Sequence, residues 1–202
     1  MITSPTQFNP INSTLPLRLL TVEEYHRMMK VGILHPDEKV ELIAGQIIRK
    51  MSPQGTAHAA AIRRVDRLLS SLLKERGLVQ KQLPVILHNF SEPEPDIAVV
   101  KVDPFDYEDH HPTARDIYLI VEIADSTLKN DIEVKGKDYA RSGIEDYWVL
   151  DVNGRQLYVY RKPTKSGYQQ ETILREDDAI SPLQFPDRTI RVVELLRSGD
   201  RD

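Results

Sequence analysis

Two apolar segments each carry an acid: PDIAVV at residues 95–100 and YLIVEIA at residues 118–124. Both have the length of a strand and contain β-branched residues, which favours buried strands of one sheet. Asp96 opens the first segment, and Glu122 lies inside the second, the most apolar predicted strand of the chain. A buried carboxylate is costly unless it is paired, hydrogen-bonded or bound to a metal. These two acids are therefore the first candidates for a functional site.

Helical periods and turn signals surround these two strands. Thr21 and Glu24 have the spacing of a capping box, which predicts a helix that runs to about Lys30. An apolar stripe predicts a second helix over Thr56–Arg76, with Gly77 as the residue that ends it. The other predicted elements are a hairpin over residues 39–51, strands at 82–88, 96–102, 117–123, 146–152, 155–162 and 168–174, a short helix over 131–142, and a strand or short helix over 189–197.

The order of these elements indicates the fold class. A helix, a hairpin, a second helix, strands, a third helix and more strands predict a mixed α/β domain whose central sheet is flanked by helices. The length of 202 residues suits one domain, which we expect over residues 19–202. Residues 1–18 are polar and rich in Pro, Asn, Ser and Thr, which predicts a flexible N-terminal arm.

The composition excludes several classes of function. Cysteine is absent, so disulfides, thiolate metal sites and a cysteine nucleophile are excluded. No apolar run has the roughly 18 residues that a membrane span needs, and we see no secretory signal, so we expect a cytoplasmic protein without a membrane partner. The net charge of −4 means that nucleic-acid binding would depend on local cations or a bound metal.

A third acid, Glu41, lies in the predicted strand VELI at residues 40–43. A salt bridge or solvation at a strand end explains any one of the three acids, but three acids in apolar strands favour a shared site. Strand alternation places Glu122 on one face with Ile120 and Tyr118. Asp96 shares a face with Ala98 and Val100 by the same count, and both acids lie near strand ends that a shallow cleft could reach.

Carboxylates that converge on one point repel each other, and a divalent cation removes that repulsion. Oxygen ligands of this kind favour Mg²⁺, with Mn²⁺ as the other candidate. A nearby amine is also available, because Lys135 lies on the helix that follows Glu122 and its stem can lean over the edge of the core. Lys137 points toward solvent in the same helix. Without the acids, an ordinary surface lysine would explain Lys135 equally well.

The order of Pro95-Asp96 and Glu122 resembles the PD-(D/E)XK nuclease superfamily. The whole layout over residues 20–196 is similar to one bacterial family within it, the Uma-type putative restriction endonucleases. The matching segments are LTVEEY (20–25), VELIAGQI (40–47), MSPQGTAH (51–58), PDIAVV (95–100), VEIADST (121–127), and Lys135 with Tyr139 before GIEDYWVLD (143–151). The resemblance implies a restriction-endonuclease-like fold and, as in many nucleases of this fold, a homodimer.

The resemblance also implies roles for the site residues. Asp96 and Glu122 would be metal ligands, and Glu41 would be a third acid close to the metal. The usual pattern has a lysine two positions after the Glu, where this chain has Ala124. Lys135 would replace that lysine, as the corresponding residue on the following helix does in the Uma-type family.

Three functions are compatible with these residues. The first is a metal-dependent endonuclease that hydrolyses phosphodiester bonds, with DNA as the expected partner. The second is a non-catalytic nuclease-like module for DNA binding or protein assembly, which Ala124 favours. The third is a metal hydrolase for another phosphate ester.

Other polar residues receive weaker interpretations. His58 could lie at the edge of the site or contact the start of a helix, and the sequence favours neither. Gln80 and Gln82 begin the strand before Asp96 but receive no role. The pair His110-His111 favours a surface loop over a metal site, because no third ligand has suitable spacing.

The remaining candidates favour structural roles. Tyr147 and Trp148 are expected in the core or at an interface rather than as platforms for stacked bases. Arg63, Arg64 and Arg67 are expected to form a solvated helix face rather than a track for phosphates. No P-loop and no nucleophile-elbow motif is present in the sequence.

Overall fold

The central element of the fold is a six-stranded sheet. The structure is a computed structural model, which describes residues 17–35, 37–50 and 55–197. The sheet contains, in spatial order, β3 (Leu78–Lys81), β4 (Ile97–Val100), β5 (Ile117–Ala124), β6 (Asp146–Asp151), β7 (Gln156–Thr164) and β8 (Gly167–Arg175). All neighbours are antiparallel except β5 and β6, which are parallel. The predicted mixed sheet is confirmed.

Helices cover both faces of this sheet. The long helix α2 (Thr56–Leu73) buries its apolar stripe against one face, where Val65 and Leu69 pack in a cluster with Trp148. On the other face, Tyr139 and Ile144 pack in a second cluster that also contains Tyr147. Tyr147 and Trp148 are both fully buried, as expected of core residues.

The parallel pair β5 and β6 requires a crossover, because parallel strands cannot be joined by a tight turn. The crossover is one continuous helix made of α3 (Leu128–Asn130), a π-helical turn at Asp131–Lys135 and α4 (Gly136–Arg141). Such π turns are rare and are frequent at functional sites. Lys135 is the last residue of the π turn. Tyr139 follows one helical turn later, on the same side of the helix.

Smaller elements extend the domain on either side of the sheet. Helix α1 (Val22–Lys30) begins at Thr21, where Thr21 and Glu24 form the predicted capping box. The predicted hairpin forms a separate two-stranded sheet, and the C-terminal part contains one further strand pair and one short helix. These elements are β1 (Val40–Ile43), β2 (Gln46–Arg49), β9 (Ala179–Ile180), β10 (Ile190–Arg191) and α5 (Val192–Leu195). None of the helices in the described ranges is long and apolar enough to cross a membrane.

Two predictions around β3 were wrong. The strand expected at residues 82–88 lies earlier, at Leu78–Lys81. Gln82 has a φ of 50°, and its N–H turns to the carbonyls of Pro95 and Asp96, so the backbone leaves the sheet there. Gly77 does not end α2 in the left-handed conformation, because its φ is −165° while Lys74 has the positive φ of 48°.

The predicted face of Tyr118 was also wrong. The register between β4 and β5 shifts at Val99 and Val100, which inserts one extra residue into β5. Tyr118 therefore turns to the other face of the sheet and packs edge-on against Phe185 at 5.5 Å between ring centroids. Glu122 lies beyond this irregularity, on the face that packs against the crossover helix.

The predicted N-terminal arm lies outside the described residues except for Leu17 and Arg18. The break expected at Ser52-Pro53 also lies outside them. Arg18 forms an ion pair with Glu24, and Leu20 donates its N–H to the carbonyl of Gly45 at 2.9 Å, which joins this segment to the hairpin.

A buried acid anchors the start of β6, the strand beside Glu122. Asp146 has no exposed surface and accepts hydrogen bonds from Trp148 Nε1 at 2.9 Å, Arg161 Nε at 2.8 Å and Leu183 N at 2.9 Å. Because Asp146→Ala leaves three donors without their acceptor, we expect it to lower the free energy of unfolding by about 3–5 kcal/mol. Denaturant unfolding measures this loss. Asp177→Ala, at an exposed residue, is the control and should change stability by less than about 0.5 kcal/mol; equal effects would contradict the anchoring role.

Candidate active site

An open cleft of about 320 Å³ lies where the hairpin, the first turn of α2, the start of β4 and the crossover helix meet. All four residues that the sequence singled out, Glu41, Asp96, Glu122 and Lys135, line this one cleft. They come from four separate segments of the chain. The fold therefore brings together residues that the sequence could only propose as neighbours.

Asp96 and Glu122 are neighbours because of the register between β4 and β5. Ile97 pairs with Val121, so Asp96 lies beside Glu122 at the end of the antiparallel ladder. The backbone N–H of Asp96 donates to Glu122 Oε2 at 3.3 Å. The N–H of Ile123 donates to Asp96 Oδ2 at 2.9 Å. The two carboxylates are thus tied to each other's strand by main-chain hydrogen bonds.

The amine of Lys135 enters the cleft from the crossover helix. Its Nζ donates to Glu122 Oε1 at 3.0 Å and lies 3.4 Å from Glu41 Oε1. The residue is only 9% exposed, whereas Lys137 is exposed. Tyr139, one turn after Lys135, donates its hydroxyl to the same Glu122 oxygen at 2.7 Å. The helix therefore supplies two donors to one carboxylate.

Glu41 reaches the cleft from β1, whose four residues are all buried. Its Oε2 accepts a hydrogen bond from the backbone N–H of Glu94 at 3.1 Å. The other oxygen, Oε1, faces Lys135. The hairpin that carries Glu41 is joined to the segment before β4 by the N–H of Glu92, which donates to the carbonyl of Leu42 at 2.8 Å.

The side chains that contact Asp96 settle two open interpretations. His58 lies at the edge of the site, with its Nε2 3.1 Å from Asp96 Oδ1. Gln82, which had no assigned role, donates its Nε2 to the same oxygen at 3.1 Å. Gln80 does not line the cleft: it pairs with Ala98 within the sheet, and its side-chain nitrogen has no hydrogen-bond partner in the described part of the chain.

Burial and charge together set the protonation of Glu122 and Lys135. Burial raises the pKa of Glu122 well above its usual range, and the nearby Asp96, Asp131 and Glu41 add to this rise, although the Lys135 ammonium opposes it. Burial alone would lower the pKa of Lys135, but Glu122, Glu41 and Asp131 outweigh it and raise that pKa above its usual value. Lys135 is therefore a fixed cation at neutral pH.

Asp96 and His58 shift each other in opposite directions. Burial favours a higher pKa for Asp96, but the hydrogen bond and charge of His58, with the N–H of Ile123 and the charge of Lys135, lower it below its ordinary value. Burial favours a lower pKa for His58, but Asp96 raises it above its ordinary value. Asp96 is therefore ionised at neutral pH.

The donor set fits a hard divalent cation in its chemistry. Glu41, Asp96, Glu122 and Asp131 are buried acids around one lysine, and the negative charges of the other three add to the rise that burial causes in the pKa of Glu122. Carboxylate oxygens are the ligands that Mg²⁺ and Mn²⁺ prefer. As the side chains stand, no group of three His, Asp or Glu residues in the described ranges is arranged to hold a metal ion. Ligation would therefore require the acids to exchange N–H or O–H donors for the ion.

The sequence assigned no chemical role to several residues in and around the cleft. Tyr139 was expected on the inward face of its helix, and it contacts Glu122 without lining the cleft itself. Asp131 is buried and accepts a hydrogen bond from Thr127 Oγ1 at 2.6 Å. Glu94, in the turn before β4, forms an ion pair with Lys50. An acidic turn or helix start is ordinary at a surface, so no sequence signal marked Asp131 or Glu94.

The histidine pair at residues 110 and 111 lies on the surface. Both side chains are exposed in the loop between β4 and β5, and His110 contacts its neighbour Asp109. His111 Nε2 lies 3.9 Å from Glu92 Oε1. The exposure of both side chains confirms the expected surface loop.

The cation of Lys135 should make stability depend on pH in a defined way. Lys135→Met removes the charge that opposes the raised pKa of Glu122. An acid with a higher pKa in the folded state binds more protons when folded, so its contribution to stability falls as pH rises from the unfolded value of about 4.5. We expect the variant to be about 3–5 kcal/mol less stable than the native protein at pH 7. Folded Glu122 has a pKa of about 8 with the lysine present, so it holds its proton in both proteins below that pH, and the loss should widen by about 1.4 kcal/mol per pH unit only above about pH 8.

Denaturant unfolding in EDTA between about pH 6 and about pH 10 measures this difference. Lys137→Met removes an exposed lysine from the same helix and is the matched control, with no expected pH trend relative to the native protein. A loss in Lys135→Met that is constant across this range would contradict the coupling between Lys135 and Glu122.

The comparisons with known proteins agree with this architecture. The family model of Uma2, described as a putative restriction endonuclease, matches residues 22–193. The chain is similar to the crystal structure of a putative nuclease from Anabaena variabilis ATCC 29413, with a TM-score of 0.64 and 19% sequence identity over 87% of this chain and 97% of that chain. No curated protein matches the chain.

These findings confirm the predicted restriction-endonuclease-like fold class and the predicted family. The structural likeness, at 19% identity, shows a shared fold. The family model spans most of the chain, from the start of α1 to the first residues of α5. The chain belongs to the Uma2 family of putative restriction endonucleases.

Proposed function

We propose that the protein is a metal-dependent endonuclease that hydrolyses phosphodiester bonds in DNA. The observation that carries this proposal is the contact of Lys135 Nζ with Glu122, which lies beside Asp96 in one open cleft. An acid pair and a lysine in this order are typical of the nuclease superfamily that the sequence resembles. The amine reaches the acid from the crossover helix, so the amine does not require a lysine at Ala124.

The charge of Lys135 suits the developing charge of the reaction. In phosphodiester hydrolysis, negative charge grows on the phosphoryl oxygens and on the leaving oxygen. A fixed and largely buried ammonium stabilises such charge, because it needs little reorganisation during the reaction. The raised pKa keeps Lys135 protonated, so it would act as a charge and as a donor to the attacking water, not as a general base.

Asp96 and Glu122 would hold the divalent ion, with Glu41 as the third acid nearby. When bound, Mg²⁺ or Mn²⁺ would polarise the phosphate and lower the pKa of a water molecule. His58 and Gln82 both contact Asp96 Oδ1 and would orient that carboxylate, as hydrogen-bonded partners of metal ligands do in other proteins.

DNA is proposed as the substrate because the chain belongs to a family described as putative restriction endonucleases. The acidic cleft would repel a polyanion, and a bound cation offsets that repulsion. Homodimerisation and a cytoplasmic location stay predictions from the sequence.

One observation favours a non-catalytic nuclease-like module as the second candidate. The carboxylate oxygens of Asp96 and Glu122 already accept hydrogen bonds from protein donors, and no described group of three ligands is arranged to hold a metal. A module of this kind would bind DNA without binding a divalent ion. Titration calorimetry with Mn²⁺ distinguishes the two candidates, because only the enzyme requires the ion.

Removal of the Asp96 charge tests the enzyme directly. Asp96→Asn keeps the shape of the side chain but removes an ionised ligand, and loss of several kcal/mol of metal-derived stabilisation corresponds to a rate loss of about 100-fold or more. Cleavage of plasmid DNA by purified protein in Mg²⁺ or Mn²⁺ measures this rate. Asp177→Asn, with the same change of charge on the surface, is the matched control and should cleave like the native protein. Equal cleavage by all three proteins would point to a contaminating nuclease and reject the assignment.

A further inference from the structure

A second groove, of about 950 Å³, lies on the opposite side of the first turns of α2 from the acidic cleft. It is lined by four arginines from three separate parts of the chain: Arg63 and Arg64 on α2, Arg155 at the turn before β7, and Arg197 after α5. We call this surface the arginine groove. Its cations converge through the fold, because only Arg63 and Arg64 are neighbours in the sequence.

Three of the four arginines of the groove are not joined to a carboxylate in the described ranges. No salt bridge in the described ranges joins Arg63, Arg64 or Arg197 to a carboxylate, whereas Arg155 pairs with Glu176. Burial lowers the pKa of Arg64, and the positive charges of Arg67, Arg155 and Arg197 lower it further. Like charges held close together raise the energy of the native state, so this surface favours an anionic ligand.

The arginine groove adjoins the acidic cleft through the start of α2. Gly55 and His58 line the cleft, while Thr56 and Ala57 line the groove. A second connection runs through Asn153, which lines the groove and donates its side-chain amide to the Asp125 carbonyl at 2.6 Å. Asp125 lines the cleft. A ligand in one of the two depressions therefore has a short path to the other.

We propose that the arginine groove binds the phosphate backbone of DNA beside the phosphate that occupies the acidic cleft. The inference rests on the proposed nuclease function and extends it by naming the surface that holds the substrate. It explains how an acidic protein attracts a polyanion, because the groove supplies local cations beside a cleft lined by acids. The sequence favoured a solvated helix face for Arg63, Arg64 and Arg67, and it could not show that Arg155 and Arg197 join the first two.

Binding measured without divalent ions tests this surface separately from catalysis. We would titrate a fluorescein-labelled 20-base-pair duplex in EDTA and follow anisotropy at several salt concentrations. The test variant is Arg63→Gln/Arg197→Gln, because both side chains are exposed and neither forms a described salt bridge. The matched control is Lys162→Gln/Lys165→Gln, which removes the same charge from exposed residues at the far end of β7 from Arg155.

Loss of two phosphate contacts should make the slope of log Kobs against log[salt] shallower by about 1.8 in the test variant. The control should keep the native slope. The charge-retaining Arg63→Lys/Arg197→Lys variant should restore most of the native slope, which separates a lost charge from a damaged fold. Equal slopes for the native protein, the test variant and the control would overturn the proposal.

The same proteins separate this inference from the proposed function. A native protein that does not cleave DNA in Mg²⁺, but whose binding in EDTA depends on the two arginines, would support the groove and reject the nuclease. If the native protein cleaves DNA but the slope of log Kobs against log[salt] is unchanged in the arginine variant, the nuclease would be supported and the groove rejected.

Discussion

The buried ion pair between Lys135 and Glu122 is the interaction on which the site depends. It joins the crossover helix to β5 and sets the charge of the cleft, because the ammonium is held between Glu122 and Glu41 at 3.0 and 3.4 Å. Burial makes this arrangement costly: desolvation raises the pKa of Glu122 even with the lysine in contact. A buried pair of charges is weak evidence for stability, since apolar residues of similar volume often stabilise a protein as well or better. A fold that keeps several buried acids around one amine is therefore better explained by chemistry than by packing.

The topology of the sheet explains why these groups meet. The antiparallel register of β4 and β5 places Asp96 beside Glu122, and the parallel pair of β5 and β6 requires the crossover helix that carries Lys135. The π turn that ends at Lys135 and the tyrosine one turn later bring both donors to the same carboxylate. The arginine groove lies behind the first turns of α2, so this helix separates an acidic depression from a basic one. We propose that the acids bind a divalent cation and that the arginines bind the phosphates of DNA.

Much of this architecture could be predicted from the sequence because its signals are local. The capping box at Thr21, the apolar stripe of α2 and the alternation of apolar strands depend on near neighbours in the chain. Asp96, Glu122 and Glu41 could be identified as site residues because a carboxylate inside an apolar strand is energetically costly. Other features depend on contacts distant in sequence. The positive φ of Gln82 ends the strand before the residues where the sequence predicted it. The bulge at Tyr118 places that side chain on the opposite face of the sheet from the predicted one. Nothing in the sequence around Arg155 or Arg197 predicts that they lie beside the arginines of α2.

The central claim is that Asp96 and Glu122 together bind a hard divalent ion. A crystal of the protein soaked in Mn²⁺, with diffraction data collected above the manganese absorption edge, tests it most directly. We expect an anomalous peak in contact with carboxylate oxygens of both Asp96 and Glu122, with Lys135 still reaching the cleft. An anomalous map without a peak at these two acids, in a crystal whose Lys135 and Tyr139 still bond to Glu122, would contradict it.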